Sequence, residues 1–172
     1  ENKDPDAHPV TFGLAFPPGE IVNGLAINDS SGNPVQHQSD AKARHSDGSW
    51  RHAVITLVVP PDSSQYSYTA GSAHTKPDPL LPSAALNDIS TSLSLSIDGQ
   101  AYSATLDLQS NDFEQILFGD LLNEWRFALP VVDSQGSPHP HLQWYVGLRR
   151  YETTPASYRV EYVLENNWAY QP

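Results

Sequence analysis

Cysteine is absent from this chain of 172 residues, which removes disulfides, thiolate metal sites and cysteine nucleophiles together. The compartment stays open, because a cysteine-free chain suits reducing and oxidising surroundings alike. Methionine is absent as well. Translation starts with Met, so the sequence reads as a piece processed or excised from a larger polypeptide. The opening ENKDPDAH lacks the apolar run of a signal peptide, and the closing VLENNWAYQP reads as a strand entering an aromatic turn. The expectation is therefore that further chain follows Pro172. Basic residues are scarce, 9 Lys+Arg against 20 Asp+Glu for a formal charge of −11. Such a field repels phosphate backbones and anionic lipid, which argues against nucleic acid as a partner. No run approaches the roughly 18 to 20 apolar residues of a spanning helix, so neither membrane insertion nor an insoluble domain is expected.

What is present suits one domain of ordinary size. Apolar residues make up 38% and aromatics 10%, enough large side-chain surface to build a core. The domain is read as 10–172, with 1–9 a polar N-terminal extension. Fifteen Pro and ten Gly punctuate short alternating runs, the pattern of an all-β chain with one or two short helices at most. The expected architecture is an antiparallel β-barrel or barrel-like sandwich of six to nine strands.

The clearest strand is Trp50 to Val59, with Ala53, Ile55, Leu57 and Val59 on one face and Trp50, His52, Val54, Thr56 and Val58 on the other. Both faces are largely apolar, which makes it a central strand. Thr91, Leu93, Leu95 and Ile97 alternate with polar residues up to Asp98-Gly99, a tight-hairpin signal, and Tyr102 to Leu108 is the return strand. Leu142, Trp144, Val146 and Leu148 share a face, and Tyr158, Val160, Tyr162 and Leu164 form the same pattern on a neighbouring antiparallel strand. Phe113 to Leu117 fits a helical stripe and is read as a short turn or helix, with a strand from about Leu121 to Leu129. Asp62 to Asn87 is rich in Ser, Pro, Ala and Thr without periodicity and reads as a long loop.

Three stretches then resemble a known family: VTFGLAFPPGEI at 10–21, VQHQSDAKARHSDGSWRHAVITLVVP at 35–60, and GSPHPHLQWYVGLRRYETTPASYRVEYVLENNWAYQP at 136–172. They resemble the RIFT-barrel-like domain of exo-rhamnogalacturonan lyase-like proteins and of large bacteriophage structural proteins. The second is the most specific, with Val35-Gln36, a basic residue, then Asp47-Gly48-Ser49-Trp50-Arg51 before an apolar strand. The third looks more like the phage members. The resemblance implies a RIFT-related fold and a virion or extracellular setting, in a bacteriophage tail or virion protein. Its alternative is the accessory N-terminal domain of a secreted polysaccharide lyase. It carries no catalytic residue onto this chain. The residues of the second stretch also have a purely architectural use, since Asp47-Gly48 is a turn signal, Ser49 can bond the turn backbone and Trp50 can close one end of a barrel.

Constellations that could carry chemistry are thin. His139 and His141 flank Pro140, and His-x-His on an extended segment turns both imidazoles to one side, as in some zinc sites; no third ligand stands at a recognisable spacing. His37, His45 and His52, with Asp40 or Asp47, are a weaker group. Glycoside hydrolysis needs two facing carboxyls. Glu161 and Glu165 share a strand face but stand about 13 Å apart by strand rise, and Glu114 and Glu124 read as solvated surface. A lyase base and a carboxylate-neutralising group could come from Arg51, His52, Arg149, Arg150 and Tyr151, of which Arg149 and Arg150 point to opposite faces. No cofactor motif appears. The expectation is a non-catalytic structural or binding module without cofactor. Its binding candidates are Trp168, Tyr170, Asn166, Asn167, His52 and Arg51. Its partners are neighbouring domains of the parent and a surface polysaccharide, with oligomerisation through the parent.

Overall fold

The computed structural model of the chain describes residues 8–59, 65–72, 77–86 and 89–167. Among these residues it is all-β, antiparallel and barrel-like, with eleven strands and one four-residue helix. The chain forms two compact units. One comprises residues 1–79, 117–123 and 151–157, the other 80–116, 124–150 and 158–172.

In the first unit lie β1 (His8–Ala15), β2 (Gly24–Asp29), β3 (His37–Arg44), β4 (Trp50–Val59) and β5 (Tyr66–Gly71). β4 is central, antiparallel to β1 on one side and to β3 on the other, and β2 pairs with β5. On one face of β4, Ala53, Ile55 and Leu57 are buried, while on the other face Thr56 is buried and Val54 and Val58 are partly exposed. The core gathers Phe16, Ile21, Leu25, Ile27, Trp50, Ala53, Ile55 and Leu57. Trp50 thus shares a core with the residues expected on the opposite face. The β3–β4 register slips between Ala41 and Arg44, with Ala43 opposite His52 and Arg44 opposite Trp50. Arg51 is therefore an extra residue in the ladder, and the two-residue alternation is broken there.

The second unit holds α1 (Pro82–Ala85), β6 (Ser92–Ile97), β7 (Gln100–Thr105) and most of β8 (Glu114–Leu117), β9 (Leu122–Asp133), β10 (Pro138–Tyr151) and β11 (Ser157–Asn166). The sheet runs β11-β10-β9-β7-β6, with β8 also paired to β9. β6 and β7 form the expected hairpin, Ile97 opposite Gln100, with Asp98 at φ 51° and Gly99 at φ 82°. Both central residues lie in the left-handed region that a two-residue turn between twisted strands demands. One face of the sheet carries the core: Trp125, Phe127 and Val131 from β9, and Trp144, Val146 and Leu148 from β10, with Ala85, Leu86, Ala104 and Leu106. The Trp125 indole N–H is satisfied by the Leu80 carbonyl at 3.0 Å, the partner that a buried indole requires.

Three expectations are corrected. There are more strands than nine, because short polar strands such as β3 carry no apolar alternation. Within 62–87, Tyr66–Gly71 is a strand and Pro82–Ala85 a helix. Residues 114–117 are strand rather than helix; four residues are too few for a period of 2 to be told from one of 3.6.

Candidate functional site

The Asp-Gly-Ser-Trp stretch forms a polar tether. Asp47 Oδ1 accepts from the Ser49 N–H at 2.9 Å and the Ser49 hydroxyl at 2.6 Å. Ser49 Oγ in turn accepts from the Gly19 N–H at 2.9 Å, and the Trp50 N–H donates to the Ile21 carbonyl at 2.7 Å. Arg44 Nη1 donates to the Gly48 carbonyl at 2.7 Å and His45 Nε2 lies 2.9 Å from the Phe16 carbonyl. The Ser49 hydroxyl and N–H hold the Asp47 carboxyl below the usual carboxylate range. The bonds to Phe16, Gly19 and Ile21 fasten the 16–22 loop to the turn before β4 and to its first residue, and the others hold the 44–49 turn together, which is the architectural use that its residues suggested.

His37 is likewise committed to backbone. His37 places Nδ1 2.9 Å from the Val35 carbonyl and Nε2 3.1 Å from the Leu25 carbonyl. The His52 ring lies against Gly13, where an added Cβ would come within 2.8 Å of Nε2, and Arg51 is exposed. His139 and His141 do come together, ring centroids 6.0 Å apart. The His139 Nδ1 lone pair, however, is taken by the N–H groups of His141 and Leu142, both at 3.2 Å. Among the described residues no three His, Asp or Glu side chains are grouped to hold a metal. Asn166 and Asn167 are exposed at the end of β11, where the Asn167 N–H donates to the His141 carbonyl at 2.6 Å. Trp168 and Tyr170 lie outside the described residues. Arg51 and His52 belong to the first unit and Asn166 and Asn167 to the second, so the structure does not gather the expected binding residues within one unit.

It gathers a different set. Successive strand residues face opposite ways, so burial of Trp125 and Phe127 turns Glu124 and Arg126 of β9 outward. Burial of Trp144, Val146 and Leu148 does the same for Tyr145, Gly147 and Arg149 of β10. On β11, Val160 packs on the core and Tyr162 stacks on Trp144 at 5.7 Å, which leaves Glu161, Val163 and Glu165 on the outer face. Of these, Glu124, Arg126, Tyr145, Gly147, Glu161, Val163 and Glu165 line an open groove of about 410 Å³ together with Ile116 of β8. Gly147 sets its depth: a Cβ there would sit 3.5 Å from the Glu161 Cβ and 3.7 Å from its Oε2, ordinary contacts that would fill the floor.

The charged lining of the groove is acidic, Glu124, Glu161 and Glu165 against Arg126, and ion pairs offset part of that charge. Arg149 Nε and Nη2 both reach Glu124 Oε2 at 2.7 Å, with side chains only 20% and 16% exposed. A pair this far from water is held more firmly than a surface pair. Arg126 binds Glu114 with both side chains more than half exposed, and Arg159 binds Glu161 on β11. Glu124 and Glu161 are thus each paired with an arginine that stands beside the groove, and Arg126 of the lining is paired with Glu114. The chemistry offered is a tyrosine side chain, the apolar Ile116 and Val163, and carboxylates that accept hydrogen bonds. Glu124 was expected as solvated surface and is corrected to a half-buried partner of Arg149. Sequence reading missed the groove because its residues come from four strands. The signal that could have found it was the odd-numbered set on 145–149 and 161–165, opposite the apolar even-numbered set.

No protein-family model matches the chain, and neither a curated protein nor a solved structure matches it. Among the described residues no helix is long and apolar enough to cross a membrane.

Proposed function

We propose that this chain is a non-catalytic binding and assembly module of a bacteriophage tail or virion protein, and that it holds a neutral stretch of surface glycan in the groove of its second unit. The observation that carries the reading is the groove itself. Tyr145 lends an aromatic side chain to the lining, Gly147 leaves the floor open, and Glu124, Glu161 and Glu165 complete it. Apolar sugar faces pack on aromatic rings, and carboxylates accept bonds from hydroxyls without needing a charge on the ligand. The groove volume falls in the range of small-ligand sites. The virion setting rests on the resemblance of 136–172 and on the acidic, cysteine-free composition.

The test is a bacterial glycan array followed by calorimetry on any hit, comparing the chain with Tyr145→Ala, Glu161→Gln and Gly147→Val. Each substitution is expected to weaken binding at least tenfold while leaving the thermal midpoint nearly unchanged, since all three positions lie on the outer face. Binding that survives Gly147→Val would remove the groove from the account. Release of unsaturated uronates from pectic substrates, lost on substituting Arg51 or His52, would replace the whole reading with a lyase.

A further inference from the structure

The outer edge of β11 is built in the way that edges of monomeric sheets avoid. Long edge strands are normally shortened, bulged, or protected by proline and lysine, because their unpaired N–H and C=O groups invite another strand. β11 runs for ten residues, Ser157–Asn166, contains neither proline nor lysine, and stands last in its sheet. Among the described residues no strand pairs with its outer edge. Four of its large side chains remain about half exposed: Tyr158 at 49%, Tyr162 at 54%, Val163 at 49% and Leu164 at 47%.

We propose that a second copy of this chain covers that edge by antiparallel β11–β11 pairing centred on Tyr162. The occupant follows from the order of charges along the strand. In a two-fold antiparallel pair, residues equidistant from the centre face each other and share a face of the sheet. Centring on Tyr162 sets Arg159 opposite the partner's Glu165, twice over. It also sets Val160 opposite the partner's Leu164, Glu161 opposite the partner's Val163, and the two Tyr162 rings together. Nine residues, 158–166, then lie within the pair. Opposite charges and aromatic or branched pairs directly across a ladder are the stabilising combinations.

Neighbouring registers fail on the same criterion. Centres at Arg159 or Glu161 oppose each of these residues to its own copy, and a centre at Val163 opposes Glu161 to Glu165. A centre at Val160 keeps an Arg159–Glu161 match but overlaps only seven residues, 157–163. The sequence of β11 is thus self-complementary in one long register. That register also joins outer face to outer face, so the two grooves open on the same side of one continuous sheet.

Sedimentation equilibrium on the intact chain, with charge exchange, tests the pairing. The wild type is expected at twice 18.9 kDa at high micromolar concentration. Arg159→Glu alone and Glu165→Arg alone each place like charges opposite one another at both symmetry-related positions. Each is expected to weaken the dimer about tenfold or more. Mixing the two variants restores opposite charges at both positions, so the mixture is expected to dimerise as tightly as the wild type. Near-ultraviolet circular dichroism of each variant confirms the fold, since both side chains are more than half exposed or at the strand surface. A wild type that stays at 18.9 kDa overturns the proposal, as does a dimer indifferent to either charge reversal, or a mixture that fails to reassociate.

Discussion

Gln38 shows how much one buried side chain can organise. Only 4% exposed, it accepts from the Leu121 and Leu122 N–H groups through Oε1 at 3.1 and 3.0 Å. Its Nε2 donates to Asp40 Oδ2 at 2.9 Å and to the Leu122 carbonyl at 3.0 Å. The segment 117–123 is fixed to β3 by one amide, and Gly119 is the residue that lets it approach. A Cβ at Gly119 would fall 2.4 Å from the Gln38 Cδ. Gly119→Ala is therefore expected to cost about 1–3 kcal/mol through overpacking. Gln38→Leu strands two buried donors and is expected to cost about 2–4 kcal/mol. Because both act on one clamp, Gly119→Ala should cost less in the Gln38→Leu background, which a double-mutant cycle by urea unfolding reads directly. Asp47 adds a pH signature. Its carboxyl is held below the ordinary range by Ser49, so its contribution is present above that range and lost as the pH falls through the folded-state value. Asp47→Asn removes it. The thermal midpoints of wild type and Asp47→Asn are expected to converge as the pH drops below about 4.

At the scale of elements, the β6–β7 hairpin depends on two residues in the left-handed region. Gly99→Val, which forces a branched side chain to φ 82°, is expected to cost about 1–2 kcal/mol in urea unfolding, whereas Asp98→Asn, equally at home in this turn, should be neutral. This hairpin was legible in the sequence because turn chemistry and alternation agree on it, and β4 was legible because only Thr56 interrupts its apolar run from Ala53 to Val59. The strands that escaped carried no such signal or only a short one. β3 buries Gln38, Ser39 and Asp40, so a polar stretch holds an interior position that hydropathy assigns to solvent. β5 offers Tyr66 and Tyr68 alternating with Ser67 and Thr69, a real but short signal inside a loop-like composition. The groove was less legible still. Its faces could be read strand by strand, but the neighbour order β8-β9-β10-β11 is a product of pairing, and only that order sets Glu124 beside Arg149 and Gly147 beside Glu161.

The whole molecule carries a formal charge of −11, and this bears on both proposed interactions in opposite ways. A neutral glycan neither gains nor loses from that field, so its affinity should be flat with salt. A uronate-rich glycan would be repelled at low salt and would bind better as salt is added, so calorimetry across a salt series separates a neutral ligand from an acidic one. Self-association must bring two such fields together, while its specific pairs, Arg159 with the partner's Glu165, are only about 5 Å apart between Cβ atoms. At about 0.01 M salt the screening length is ~30 Å and the repulsion reaches across both copies; at about 0.15 M it is ~8 Å, which removes most of that repulsion while the cross-strand pairs remain inside it. The dimer is therefore expected to tighten severalfold over this interval and to weaken again toward 1 M, where the length of ~3 Å cuts into the pairs themselves. Arg159→Glu should abolish the descending limb, since its facing charges repel and are relieved by salt throughout. A wild-type dissociation constant that rises steadily with salt from the lowest concentration would mean that local attraction dominates from the start, and that the two −11 fields do not meet at this edge.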